Sequence, residues 1–144
     1  MQSPEIDVHS LRVEVLGLIQ QFGPPRCELL LVDSVELWAQ SLGLEEQDPF
    51  RAAMATTRRQ DGVPFIVVLK RITEDIQGSV IGALLFRGFG SEADRLRDPA
   101  LFLEHLVLHE IAHLVLENPS ESDCDRWAFD RLGGKLSVSF GGAA

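Results

Sequence analysis

DPALFLEHLVLHEIAHLVLENP, residues 98–119, carries its own start and stop signals. Asp98 reads as an N-cap and Pro99 takes the first helical position, where its missing N–H costs nothing. Leu101, Phe102, Leu106, Leu108, Ile111, Ala112, Val115 and Leu116 recur at helical spacing. Asn118-Pro119 ends the pattern. Inside this apolar helix stand His109, Glu110 and His113, the segment HEIAH. Residues four apart share one helix face, a turn apart, so two imidazoles converge on that face. Imidazole suits zinc, which takes N, S and O ligands tetrahedrally. Glu110 falls beside such an ion rather than on it, where a carboxylate can take a proton from an activated water.

A catalytic zinc needs a third protein ligand and one open position. His105 lies on the same face, but eight residues of helix from His105 to His113 rise about 12 Å, too far to share one ion. His105 therefore lines the cleft or lies on the surface. The following segment, ESDCDRWAFDRL at 121–132, supplies acids. Ser120 is its N-cap, with Asp123 completing a capping-box variant. Glu121 comes first, and Cys124 and Asp125 follow one turn on.

HEIAH followed by E-x-x-C-D-x-W-A, Glu121 to Ala128, resembles the gluzincin metallopeptidases, closest to the ImmA/IrrE-like group and somewhat to other minimal gluzincins. The resemblance covers about the last third of the chain. It implies zinc held by His109, His113 and Glu121, with Glu110 as general base and Asp125 holding a ligand histidine from behind. It also implies a small twisted sheet beside the two helices, with an edge strand receiving an extended protein or peptide substrate. PFIVVLKR, 64–71, is the strand proposed for that edge. Two features depart from the family pattern. Only seven residues separate His113 from Glu121. A tight antiparallel hairpin would leave Glu121 about a turn from the ion. The helices must cross steeply after Asn118-Pro119, or else Cys124 or Asp125 is the ligand. The chain also has no tyrosine. An oxyanion donor must then be His105, His9 or an arginine such as Arg126 or Arg87.

The rest of the chain predicts a single α+β domain over residues 1–140, with a loose tail at 141–144. Ser3 and Pro4 open a helix over 3–22, with Leu11, Val15, Leu18 and Phe22 on one face. CELLLV, 27–32, reads as a buried strand. Ser34 caps a helix through Leu42. Asp48-Pro49 opens a helix to about Arg59. Residues 72–88 lean toward helix, and KLSVSF, 135–140, alternates like a strand.

The formal net charge is −9 and Arg58-Arg59 is the densest basic stretch. That argues against nucleic acid, which needs clustered cations. No apolar run reaches membrane-spanning length, and no secretory signal is visible. Two cysteines, Cys27 and Cys124, fit reduced thiols in a cytoplasmic protein. The expected activity is hydrolysis of a peptide bond by metal-activated water. Its rivals are a non-catalytic regulatory or interaction domain that keeps zinc, an amidase-like small-molecule hydrolase, and a structural domain with a fortuitous motif. Oligomeric state is not legible.

Overall fold

The computed structural model describes residues 5–58 and 60–136. It is a mixed α+β fold with two small sheets and six α-helices among the described residues. One sheet has three strands in the order β2 (Glu28–Val32), β4 (Pro64–Leu69), β3 (Ala53–Thr57). β4 runs parallel to β2 and antiparallel to β3. Its residues 65–69 are all buried. That explains an unbroken apolar run in place of alternation, since a strand covered on both faces has no solvent side. The other sheet pairs β1 (Glu5–Asp7) antiparallel with β5 (Arg71–Thr73).

The helices are α1 (Arg12–Phe22), α2 (Val35–Ser41), α3 (Glu74–Phe86), the short α4 (Gly90–Asp94), α5 (Pro99–Val115) and α6 (Glu121–Arg131). α5 is the organising element. It packs on α1, α6, β3 and β4, and residues 102–112 are all buried. No helix among the described residues is long and apolar enough to cross a membrane.

Local capping chemistry sets most helix starts as expected. The Ser34 side chain accepts from Leu37 N at 3.1 Å, and Thr73 accepts from Ile76 N at 3.3 Å. Asp98 accepts from Ala100 N at 2.8 Å. These bonds satisfy amides that the first helical turn leaves without partners. The ambiguous stretch after residue 72 is helical, as α3.

Three expectations are corrected. The first helix begins at Arg12, and residues 5–7 form β1 instead. Glu5 and Asp7 are exposed while Ile6 is buried, a strand alternation hidden by the stronger helical pattern downstream. Ser3 and Pro4 lie outside the described residues. The segment after Asp48-Pro49 makes only a turn, in which Asp48 accepts from Phe50 N at 2.9 Å. It then becomes β3, because β4 needs a backbone partner on its second side and Ala53–Thr57 supplies five paired residues. Tertiary pairing overrides a local helix signal here. PFIVVLKR is consequently not an edge. β2 and β3 occupy both sides of β4, and among the described residues β3 is the edge strand that packs against α5. Of KLSVSF, Lys135 and Leu136 form a turn, and 137–140 fall outside the described residues.

One buried charge fastens the end of the fold. Glu104, on α5, is fully buried, and its carboxylate accepts from Gly133 N at 2.6 Å, Gly134 N at 3.1 Å and Leu136 N at 3.2 Å. The chain leaving α6 is thereby tied back onto the helix that carries HEIAH.

Candidate metal centre

His109 and His113 lie one turn apart on α5, their ring centroids separated by 5.1 Å. The link to α6 is short and sharply turned. α5 ends at Val115, Asn118 takes a left-handed backbone with φ of 47°, and Pro119 follows. Ser120 then starts α6 with a complete capping box. Its hydroxyl accepts from Asp123 N, and the Asp123 carboxylate accepts from Ser120 N, both at 3.0 Å. The box fixes where the first turn of α6 begins, and so where Glu121 points.

Glu121 arrives at the histidines. Its Oε2 lies 2.7 Å from His109 Nε2, and its Oε1 lies 3.4 Å from His113 Nε2. The short link is therefore long enough. Asp125, one turn further, stands behind His109, with Oδ1 2.7 Å from His109 Nδ1. Arg87, at the end of α3, donates from Nε to Asp125 Oδ2 at 2.7 Å. The chain Arg87–Asp125–His109 locks the imidazole orientation. With Nδ1–H given to Asp125, Nε2 is left to face Glu121. That is the arrangement in which a carboxylate sets the tautomer of a metal-ligating histidine.

Burial alone would push the Asp125 carboxyl up, but the hydrogen bonds from His109 and Arg87 hold it below the usual range. The same contest goes the other way at His109. Burial disfavours its cation, yet Asp125 and Glu121 as hydrogen-bond partners, with the charge of Glu110, raise it to about 10. The two carboxylates that flank the ring thus favour a proton, or a metal cation, at His109 Nε2. Glu121 is held far below the usual carboxylate range by His109 first and His113 second.

Glu110 is 4 % exposed, and burial raises its pKa. It lines a cavity of about 320 Å³ together with His105, His109, Glu121, Asp125, Arg87 and Arg51. Glu110 Oε1, His105 Nε2 and His113 Nε2 are buried and have no hydrogen-bond partner among the described residues. Three such atoms grouped around one site are unusual, because native folds pair nearly all buried polar groups. His113 Nε2 is within ion-pair reach of Glu121 but lacks hydrogen-bond geometry.

The donor set fits zinc. Two imidazoles and one carboxylate are a common catalytic ligand set. Tetrahedral ligands about 2.1 Å from an ion stand roughly 3.4 Å apart. The His113–Glu121 separation already has that value, while the His109–Glu121 hydrogen bond must lengthen. Cys124 is also near. Its sulfur and one ring nitrogen from each of His109 and His113 lie within 4.8 Å of one another. The third-ligand position is thus within reach of both Glu121 and Cys124. Asp125, the other alternative, is occupied by His109 Nδ1 and Arg87.

The proposed oxyanion donors separate. His105 is buried in the cavity wall, 3.8 Å from Asp125 Oδ1 and stacked on Phe129 with centroids 4.4 Å apart. Burial lowers its pKa to about 3, so it is a neutral imidazole. Arg87 also lines the cavity. Arg126 does not. Both of its terminal nitrogens engage Glu92, at 2.5 and 3.1 Å, and its guanidinium lies over Phe89. His9 is exposed and does not line the cavity either. Arg51 was not foreseen. It precedes β3 in sequence and reaches the cavity only because β3 packs beside α5. No nearby residue pattern signals it. Comparison of the chain with known protein-family models, curated proteins and solved structures finds no match.

Proposed function

We propose that this chain is a zinc-dependent metallopeptidase of gluzincin type, as its likeness to the ImmA/IrrE-like group suggests, with a zincin-like arrangement of sheet and paired helices. The observation that carries the proposal is the meeting of the Glu121 carboxylate with the Nε2 atoms of both His109 and His113. His109, His113 and Glu121 hold the ion, and Asp125 keeps the His109 ring turned toward it. Zinc, when bound, makes an attached water acidic near neutral pH and polarises a carbonyl. Glu110 accepts the proton of the attacking water and later hands it to the departing amine. Its burial serves that role, since a carboxylate whose pKa burial raises is a stronger base toward the attacking water. Arg87, Arg51 and His105 are groups in the cavity wall able to steady negative charge on the substrate oxygen. An extended protein or peptide substrate is expected along the outer edge of β3, because Ala53 of that strand lines the cavity and no strand pairs with that edge among the described residues, where the Ala53 carbonyl accepts from Arg51 Nε at 2.9 Å.

A second reading is a regulatory or interaction domain that keeps zinc without hydrolysis. It is favoured by the proximity of Cys124, since a fourth protein ligand closes a zinc site. Treatment with a chelator separates the two. Cleavage of an unfolded protein substrate should vanish on chelation and return with zinc. A chain that regains zinc and structure but never cleaves supports the second reading instead.

A further inference from the structure

We propose that Cys124 is a displaceable fourth ligand of the metal held by His109, His113 and Glu121, so that the thiolate occupies the substrate position until substrate arrives. This rests on the metallopeptidase reading above.

Glu121 and Cys124 are three residues apart on α6, and residues at that spacing share a helix face. His109 and His113 do the same on α5. The two helices pack together, so two pairs of donors face one another. The Cys124 sulfur and the two imidazole nitrogens lie within 4.8 Å of one another. Ligands of one zinc, with sulfur at 2.3 Å and nitrogen near 2.1 Å, stand roughly 3.6 Å apart, so small shifts bring all of them into range. The carboxylate of Glu121 approaches the same two rings, with Oε2 2.7 Å from His109 Nε2 and Oε1 3.4 Å from His113 Nε2.

A buried cysteine between helices is commonly just a small apolar filler. Two features set this one apart. It is fully buried against the ligand pair, not at some other point of the interface. Beside it, His113 Nε2 is buried with no hydrogen-bond partner, as a nitrogen reserved for a metal would be. Glu110 Oε1, buried and also without a partner, completes the group around the same centre.

On coordination the Cys124 S–H bond breaks, its proton passes to solvent, and the sulfur lone pair binds the ion. On substrate arrival the sulfur–metal bond gives way to bonds from water and from the substrate carbonyl oxygen, and the sulfur takes up a proton from solvent. Neither step changes an oxidation state. Thiolate is a strong zinc ligand, so the resting site is closed, and hydrolysis is reserved for substrates whose own binding energy can displace it.

Cobalt(II) tests this without measuring activity, because thiolate ligation adds a sulfur-to-cobalt charge-transfer band in the near ultraviolet. The full chain loaded with cobalt should show that band. Cys27→Ser should keep it, since Cys27 precedes β2 and neither lines the cavity nor joins the His109, His113 and Cys124 group, and Cys124→Ala should lose it while still binding cobalt. Removing the ligand should weaken metal binding roughly 100-fold, at the upper end of what loss of a mere outer partner costs. A saturating small hydroxamate should abolish the wild-type band. Bound cobalt with no such band, or a band that persists in Cys124→Ala, overturns Cys124 as a ligand and leaves the metallopeptidase reading standing. A band that survives saturating hydroxamate overturns displacement. A wild-type chain that takes up no cobalt overturns this inference together with the reading beneath it.

Discussion

Glu110→Gln and wild type are both expected to bind about one zinc per chain, and the variant to cleave substrate roughly 100- to 10,000-fold more slowly, the range that a positioned acid–base group contributes. The reasoning is geometric. Glu110 shares α5 with both histidines but is not one of the groups that converge on each other. Its side chain lines the cavity beside His109, almost wholly buried, with Oε1 unpartnered. Glutamine keeps the volume and the hydrogen-bonding reach and cannot take a proton. Metal content, measured by elemental analysis, and turnover should therefore separate. Full activity in Glu110→Gln would remove Glu110 from the mechanism. Loss of zinc along with activity would mean that the side chain supports the site rather than the reaction.

Glu104→Ala is expected to be the most damaging substitution for stability outside the centre. The carboxylate is buried and accepts three backbone N–H groups from the segment after α6. Truncation leaves those donors without partners, at about 1–3 kcal/mol for each that stays buried, so a loss of roughly 3 kcal/mol or more is expected. For a chain of this size that lowers the melting temperature by about 10 °C. Glu104→Gln, which retains one carbonyl acceptor, should fall between. Thermal unfolding followed by circular dichroism makes the comparison. A melting temperature within about 2 °C of wild type in Glu104→Ala would show that the tether adds little, a shift equivalent to less than 1 kcal/mol. Because Gly133 to Leu136 follow α6 directly, slackening there should also loosen the hold of Glu121 on the histidines.

How much of this was legible in the sequence depended on the range of the interaction involved. α5 and α6 could be read because their determinants are local. Asp98, Ser120 and Asp123 cap amides two or three residues away, Pro99 sits where the helix needs no N–H, and the apolar spacing repeats every turn. His109, Glu110 and His113 were placed by the same helical geometry. Glu121 needed one further step, since its reach depends on the bend at Asn118 and Pro119, which spacing alone left open. β1 and β3 were missed because short strands exist through their partners. Ala53–Thr57 has little strand character until β4 lies beside it. PFIVVLKR was recognised as a strand but put at the wrong place in the sheet, since an apolar run speaks of burial and not of which neighbours flank it. Arg87, whose Nε meets Asp125 across 38 positions, was foreseen only as one possible donor. The pairing of Glu104 with residues 133–136 and the arrival of Arg51 at the cavity are products of tertiary packing, with no periodic or motif signal.

The central claim is that one ion is held between consecutive helices by His109, His113 and an acidic group from α6. Elemental analysis of chelator-stripped protein after zinc is returned and the excess removed tests it most directly. Wild type should hold about one zinc per chain, and the double variant His109→Ala/His113→Ala should hold less than roughly a tenth of that, since two of the ligands are gone. A wild-type chain that retains no zinc, or a double variant that retains as much as wild type, contradicts it.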